Sequence, residues 1–170
     1  MKATLTVNGN SIDIELNTEQ YEKLFPEEKK KTGYEKVEED EQYWYVNSAM
    51  NIVCDCQGWH TEWDNMRYES VNYFSDESVA ENMARAQRLW NRIHRRAVEL
   101  CDPIRPNSPM FVYTISFDNN TQSLFPNMWR VTRNLGEILF DTEEHCEQAI
   151  DEFHDELMWY FTEFRNRADK

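Results

Sequence analysis

The sequence is short of glycine, with four in 170 residues against the ~7% usual in soluble proteins. Too few remain for a GxGxxG turn or a Walker-type loop, which argues against the common dinucleotide and nucleotide folds. Long apolar runs are missing too: nothing approaches the ~20 residues of a membrane span. Met1–Val7 lacks the apolar stretch of a secretory signal, so an intracellular protein is expected. Basic residues are scarce. Eighteen Lys and Arg against 32 Asp and Glu leave a formal charge of −14, a surface that repels phosphates and makes free nucleic acid a poor ligand for it as a whole. No HExxH and no recognisable nucleophile motif occurs. Carboxylate pairs are unavoidable among 32 acids and therefore uninformative. The chain is not expected to be an enzyme; a metal-dependent hydrolase is kept as an alternative.

Metal ligands are sparse as well. Cys54, Cys56 and His60 form C-x-C-x3-H, which misses the usual zinc spacings, and no second cysteine pair follows, since Cys101 and Cys146 stand alone. His145 and His154 lie nine residues apart, not a one-face metal spacing. Four cysteines in an intracellular chain read as reduced thiols. No metal or cofactor is expected.

What is present is 14% aromatic residues, enough apolar mass to argue against disorder despite the charge. Thr4–Val7 and Ser11–Leu16 alternate around Asn8-Gly9, the signature of a hairpin. Asn17 and Thr18 cap a short helix expected over Glu19–Phe25, and Val37–Glu41 reads as a solvated connector. Two similar stretches follow. One places strands at Tyr43–Val46 and Asn51–Cys56, a loop, a third strand at Val71–Phe74, then an acidic cap and a helix to about Leu100. The other places strands at Phe111–Ser116 and Gln122–Phe125, a loop, a third strand at Glu137–Phe140, then a cap and a helix to about Phe164. The shared order at a near-constant offset predicts an α+β fold: an N-terminal hairpin-helix module (1–40) and two βββα units (41–104 and 105–170). Each unit has antiparallel strands packed by one long amphipathic helix. The apolar stripes are Val79, Met83, Ala86, Trp90, Ile93, Ala97 and Leu100 in one helix, and Cys146, Ile150, Phe153, Leu157, Tyr160 and Phe164 in the other. Such stripes serve a core or a dimer seam, so monomer and homodimer both remain open.

The charge is not uniform. Residues 1–78 carry −10, residues 79–100 carry +3, residues 101–140 are neutral and residues 141–170 carry −7. The positive block holds Arg85, Arg88, Arg92, Arg95 and Arg96 on one side of a helix. Three readings stand: a solvated face, internal pairing with the acidic helix that carries Glu143, Glu144, Glu147, Asp151 and Asp155, or an anion site for a nucleic-acid backbone or a nucleotide. Aromatic residues mark a further candidate. Trp59 and Trp63 lie in the loop Gln57–Tyr68, and Trp129 in the corresponding Asn127–Arg130 segment, where they either cap the core or anchor a partner.

The runs Tyr43-Trp44-Tyr45-Val46-Asn47-Ser48, Arg67–Ser75 and Val79-Ala80-Glu81-Asn82 resemble a family of small phage and prophage proteins of Firmicutes. Ala149–Phe153, Leu157–Glu163 and the opening hairpin with its Thr18–Leu24 helix are similar too. These are structural motifs without a catalytic signature, and they carry no functional residues across. The resemblance implies a phage gene product that acts on the host or blocks its defences. The expected function is inhibition of a host defence factor in the host cytoplasm, a CRISPR effector nuclease first among them. Glu143, Glu144, Glu147, Asp151, Trp59, Trp63 and Trp129 would occupy a basic nucleic-acid-binding surface of that partner, an anti-CRISPR-like role. The alternative is a nucleotide sponge built on the five arginines.

Overall fold

Strand β1 (Lys2–Val7) runs antiparallel to β2 (Asn10–Glu15) in the computed structural model, which describes residues 2–7, 9–17, 31–102, 111–130 and 137–164. Val7 faces Asn10, so the reversal takes two residues, with Gly9 at φ +82° as a tight hairpin turn requires. Thr4 donates to Asp13 across the pair at 2.9 Å. The expected Glu19–Phe25 helix lies outside the described residues. Contacts group residues 1–32 into one unit and 33–170 into another. The sequence boundaries at 40 and 104 were drawn from composition and repeat order. In the structure, residues either side of 104 share one core.

That second unit is mixed α+β, with two antiparallel strand pairs and three α-helices among its described residues. Strands β3 (Gln42–Val46) and β4 (Ile52–Cys56) pair with Tyr43 opposite Asp55 and Tyr45 opposite Val53. Strands β5 (Phe111–Asp118) and β6 (Ser123–Arg130) pair with Val112 opposite Trp129. The expected third strands are not strands. Each is a single bridge: Trp44 with Phe74, and Tyr113 with Phe140, each exchanging N–H···O bonds of 2.8 and 2.9 Å. The reason in the first case is a side chain. The Asn72 amide accepts from Val46 N and donates to Val46 O at 2.9 and 2.8 Å, occupying the groups that a continuing backbone would pair.

The supposed loop 57–68 is largely helical: α1 spans Thr61–Glu69. It escaped the periodicity reading because the residue it buries is Asp64 rather than an apolar one. Its end is a Schellman motif, with Val71 N donating to Tyr68 O and Asn72 N to Arg67 O at 3.1 and 2.9 Å. The residue at the left-handed position, normally glycine, is Val71 at φ +58°. Likewise, Asn127–Trp129 lies on strand β6 rather than in a loop, and the β6 residue Pro126 is tolerated because a two-stranded sheet has only edges.

Helix α2 (Glu77–Leu100) starts at Asp76, whose side chain accepts from Ser78 N, and α3 (Glu143–Trp159) starts at Thr142, which accepts from His145 N. Both caps follow two residues after a buried Phe, Phe74 or Phe140. Helix α2 packs on two partners. Its first half buries Ala80 and Ala84 and lies against β3 and β4; its second half buries Leu89, Ile93 and Ala97 against Phe153, Leu157 and Ile150 of α3. The buried face therefore turns along the helix, and Trp90 is exposed rather than part of the stripe. Gly33 lies against its first turn. A Cβ there would come within 2.6 Å of Val79 Cγ2, and φ is +86°. Helix α3 departs from helical geometry at Phe153 (φ −111°, ψ 17°) and widens into a π-turn at Tyr160–Phe164, where Thr162 Oγ1 bonds back to Met158 O at 2.7 Å.

Replacing Phe140 by Ala removes a fully buried ring, so urea unfolding of F140A is expected to show a loss of about 3–5 kcal/mol. Val71→Gly relieves the left-handed strain and is expected to raise stability by about 1 kcal/mol in the same measurement.

Candidate functional site

Asp64 is completely buried on α1, and both of its carboxyl oxygens are engaged. Tyr43 Oη donates to one at 2.6 Å and Gly58 N to the other at 2.9 Å. Arg67, one turn on, donates to Tyr43 Oη and to Asp55 Oδ2, the latter at 2.7 Å, while its guanidinium lies 3.6 Å above the Tyr45 ring. The Tyr73 ring stacks on Tyr43 at 4.0 Å and its hydroxyl donates to Gln57 Oε1. Burial, followed by the Asp64 hydrogen bond, holds the Tyr43 hydroxyl well above its ordinary range. Burial raises the Asp55 carboxyl, but the Arg67 and Cys56 N–H bonds outweigh it and the net shift is downward. This cluster positions α1 and is closed to ligands: its polar groups are spent on one another.

α1 and its flanks expose large apolar side chains among the polar Thr61, Glu62 and Glu69. Trp59, Trp63 and Met66 are 68%, 57% and 51% exposed, Val71 is 65% exposed, and Tyr68 is also exposed. A step of three puts Trp63 and Met66 on one side of the helix, and Trp59 precedes its N-cap His60. So many large apolar side chains exposed on one short segment make it a candidate interaction surface. Of the residues singled out in the sequence, Trp59 lies at the entry of α1 and Trp63 in its first turn. Trp129 is exposed on β6. Met66 and Val71 were missed, although the spacing from Trp63 could have flagged Met66.

Glu143, Glu144, Glu147 and Asp151 are all exposed on α3. They form no ion pair among the described residues. The other flank of the helix faces the arginines. Arg92 pairs with Glu156 at 2.6 Å and lies over Phe153, and Arg96 Nε is 2.9 Å from Glu152 Oε2, off the hydrogen-bonding line but within ion-pair distance. Arg85 stacks on Trp159 at 3.8 Å, Arg88 donates to Met50 O, and Arg95 pairs with Glu99. Internal pairing is therefore present, though through Glu152 and Glu156 rather than the acids expected. Exposed pairs of this kind are worth up to about 1 kcal/mol each. A cavity of about 590 Å³ opens between α2, β5 and the end of α3, lined by Trp90, Trp129, Tyr160 and Phe161 among others. None of the five arginines lines it among the described residues.

Cys54 is exposed and Cys56 half-buried on β4, and with His60 they gather into no metal-sized group. A different trio does. Cys101, Asp141 and His145 each offer a ligand atom, all within 4.8 Å of one another and all partly buried. His145 Nδ1 is 2.7 Å from Asp141 Oδ1, and Asp102 N donates to Asp141 Oδ2 at 3.0 Å. Burial, with a contribution from the Asp141 carboxylate, pushes the Cys101 thiol up to about 11. Asp141 and His145 are four apart at a helix start, a spacing visible in the sequence, but Cys101 joins them only through the fold.

Compared with protein families, curated proteins and solved structures, the chain matches none.

Asp64→Ala strands the Tyr43 hydroxyl and the Gly58 N–H, with an expected loss of roughly 2–4 kcal/mol in chemical unfolding. Because the folded Asp55 pKa lies below its reference of 3.8, its contribution is present above that value. It is lost as pH falls through the lower folded value. Asp55→Asn is therefore expected to lower stability at pH 7 and to flatten the acid limb of a stability-versus-pH curve below 3.8.

Proposed function

We propose that the protein is an acidic protein-binding module, a phage-encoded inhibitor that seats on the basic nucleic-acid-binding surface of a host defence factor such as a CRISPR effector nuclease. One observation carries the binding reading. Val71, β-branched and exposed, is kept in a left-handed conformation where glycine costs less, directly beside the exposed Trp63 and Met66 helix. Packing inside the protein gives no reason for that side chain; contact with a partner does. The segment Trp59–Val71 supplies the aromatic anchors. The unpaired flank Glu143, Glu144, Glu147 and Asp151 supplies charge that steers association with a basic partner. The choice of partner class rests on the resemblance to phage proteins and on the net charge. The shared element order at a near-constant offset favours descent of the two halves from one repeated plan of hairpin, bridging Phe, cap and helix. The five arginines are paired or stacked on the protein itself, which weakens the nucleotide-sponge alternative.

The test is equilibrium and kinetic binding to purified effector nucleases, with and without guide and target nucleic acid. Trp63→Ala is expected to weaken the complex by at least about 30-fold, with thermal stability unchanged within about 0.5 kcal/mol. The triple reversal E143K/E147K/D151K is expected to slow association and flatten its salt dependence. Binding that is absent, or indifferent to both variants, overturns the proposal.

A further inference from the structure

We propose that Cys101, Asp141 and His145 form a binding site for a zinc-type divalent ion that clasps the end of α2 to the first turn of α3. This inference is independent of the proposed partner.

The donors come from separate places. Cys101 is the residue that closes α2, Asp141 precedes the Thr142 cap of α3, and His145 sits in its first turn. Antiparallel packing of the two helices, seen in the Arg85–Trp159 and Arg96–Glu152 contacts, folds forty residues of chain back to bring them together. Their ligand atoms lie within 4.8 Å of one another, close enough for side-chain rotation to bring all three onto one ion. One sulfur, one imidazole nitrogen and one carboxylate oxygen suit a borderline-soft ion such as Zn²⁺. Calcium and magnesium, which favour all-oxygen sites, do not fit that set. Three protein donors leave a fourth position for water or another ligand. Asp102 N–H holds the second Asp141 oxygen, the kind of outer hydrogen bond that orients a metal-binding carboxylate.

Two alternatives fail on geometry. A cysteine nucleophile needs the imidazole between thiol and carboxylate, as in a thiol–imidazole–carboxylate triad. Here His145 Nδ1 is turned to Asp141 Oδ1 at 2.7 Å, and no hydrogen bond links His145 to the Cys101 thiol among the described residues. A purely structural corner needs none of these residues, because the equivalent corner before α2 is made without them. There Ser75 Oγ and Gly33 N both donate to Glu35 Oε2, at 3.0 and 2.9 Å, and Val79 stands where α3 has His145. Sulfur and imidazole at one corner and not the other point to a ligand. On binding, the Cys101 S–H bond breaks, its proton leaves to solvent and a metal–sulfur bond forms; no oxidant or reductant is required.

The purified full chain, reduced and freed of divalent ions, is titrated with Co²⁺ as an optical substitute for Zn²⁺. The expected result is a thiolate-to-cobalt charge-transfer band that saturates at about one equivalent and is bleached by Zn²⁺. Zn²⁺ is also expected to raise Tm, since it binds the folded chain. Cys101→Ser is expected to abolish the band, and His145→Gln to weaken affinity at least about tenfold; circular dichroism verifies that both variants fold. Absence of the band in the parent chain overturns the proposal. So does a band that survives Cys101→Ser, that vanishes instead in Cys54→Ser, or that His145→Gln leaves at full affinity.

Discussion

A buried carboxyl group has to be satisfied, and much of the first half of this protein is arranged around satisfying Asp64. Its two oxygens take the Tyr43 hydroxyl and the Gly58 amide. Tyr43 is held by the Tyr73 stack and by Arg67, which in turn holds Asp55 on the neighbouring strand. Each member loses its partner if another moves, so the hairpin β3–β4, the Gln57-Gly58 turn and helix α1 are locked as a set. An apolar contact tolerates sliding by a fraction of an ångström; a network of short hydrogen bonds does not.

That arrangement has a consequence for the surface. A helix anchored by aspartate and arginine does not have to bury its large apolar side chains to stay in place. Trp59, Trp63 and Met66 are thereby left facing water on a rigid support. Rigid presentation reduces the entropy lost when a partner orders such side chains. Val71 extends the same surface at a backbone cost that its own packing does not offset.

The second half is organised by α2, which serves two layers at once: β3–β4 at its start and α3 at its end. Alanines at 80, 84 and 97 let backbones approach closely, and the buried face turns along the helix to follow them. Arg85, Arg92 and Arg96 line the edge of the α2–α3 contact, where Arg85 covers Trp159, Arg92 covers Phe153 and pairs with Glu156, and Arg96 meets Glu152. A block of positive charge in an acidic chain thus serves as mortar between helices. Among the described residues, Glu143, Glu144, Glu147 and Asp151 on the far flank enter no ion pair.

Period-two alternation and the Asn8-Gly9 turn were enough to place the first hairpin, and the apolar stripes with a cap before each were enough to place the two long helices. These features are local, set by backbone geometry and nearest neighbours. The sequence by itself also determined the polarity of charge and the absence of a span long and apolar enough to cross a membrane as a helix. It did not disclose α1, whose inward face is polar and so has no apolar period to read. Nor did it disclose that Asn72 would stand in for strand backbone, or which of Glu143–Glu156 would meet an arginine. Only tertiary structure decided those, and only it brought Cys101 to Asp141 and His145. The physical reason is common to all of them: a hydrogen bond, an ion pair or a ligand set is specified by distances between atoms far apart in the chain, and these exist only once the helices have packed.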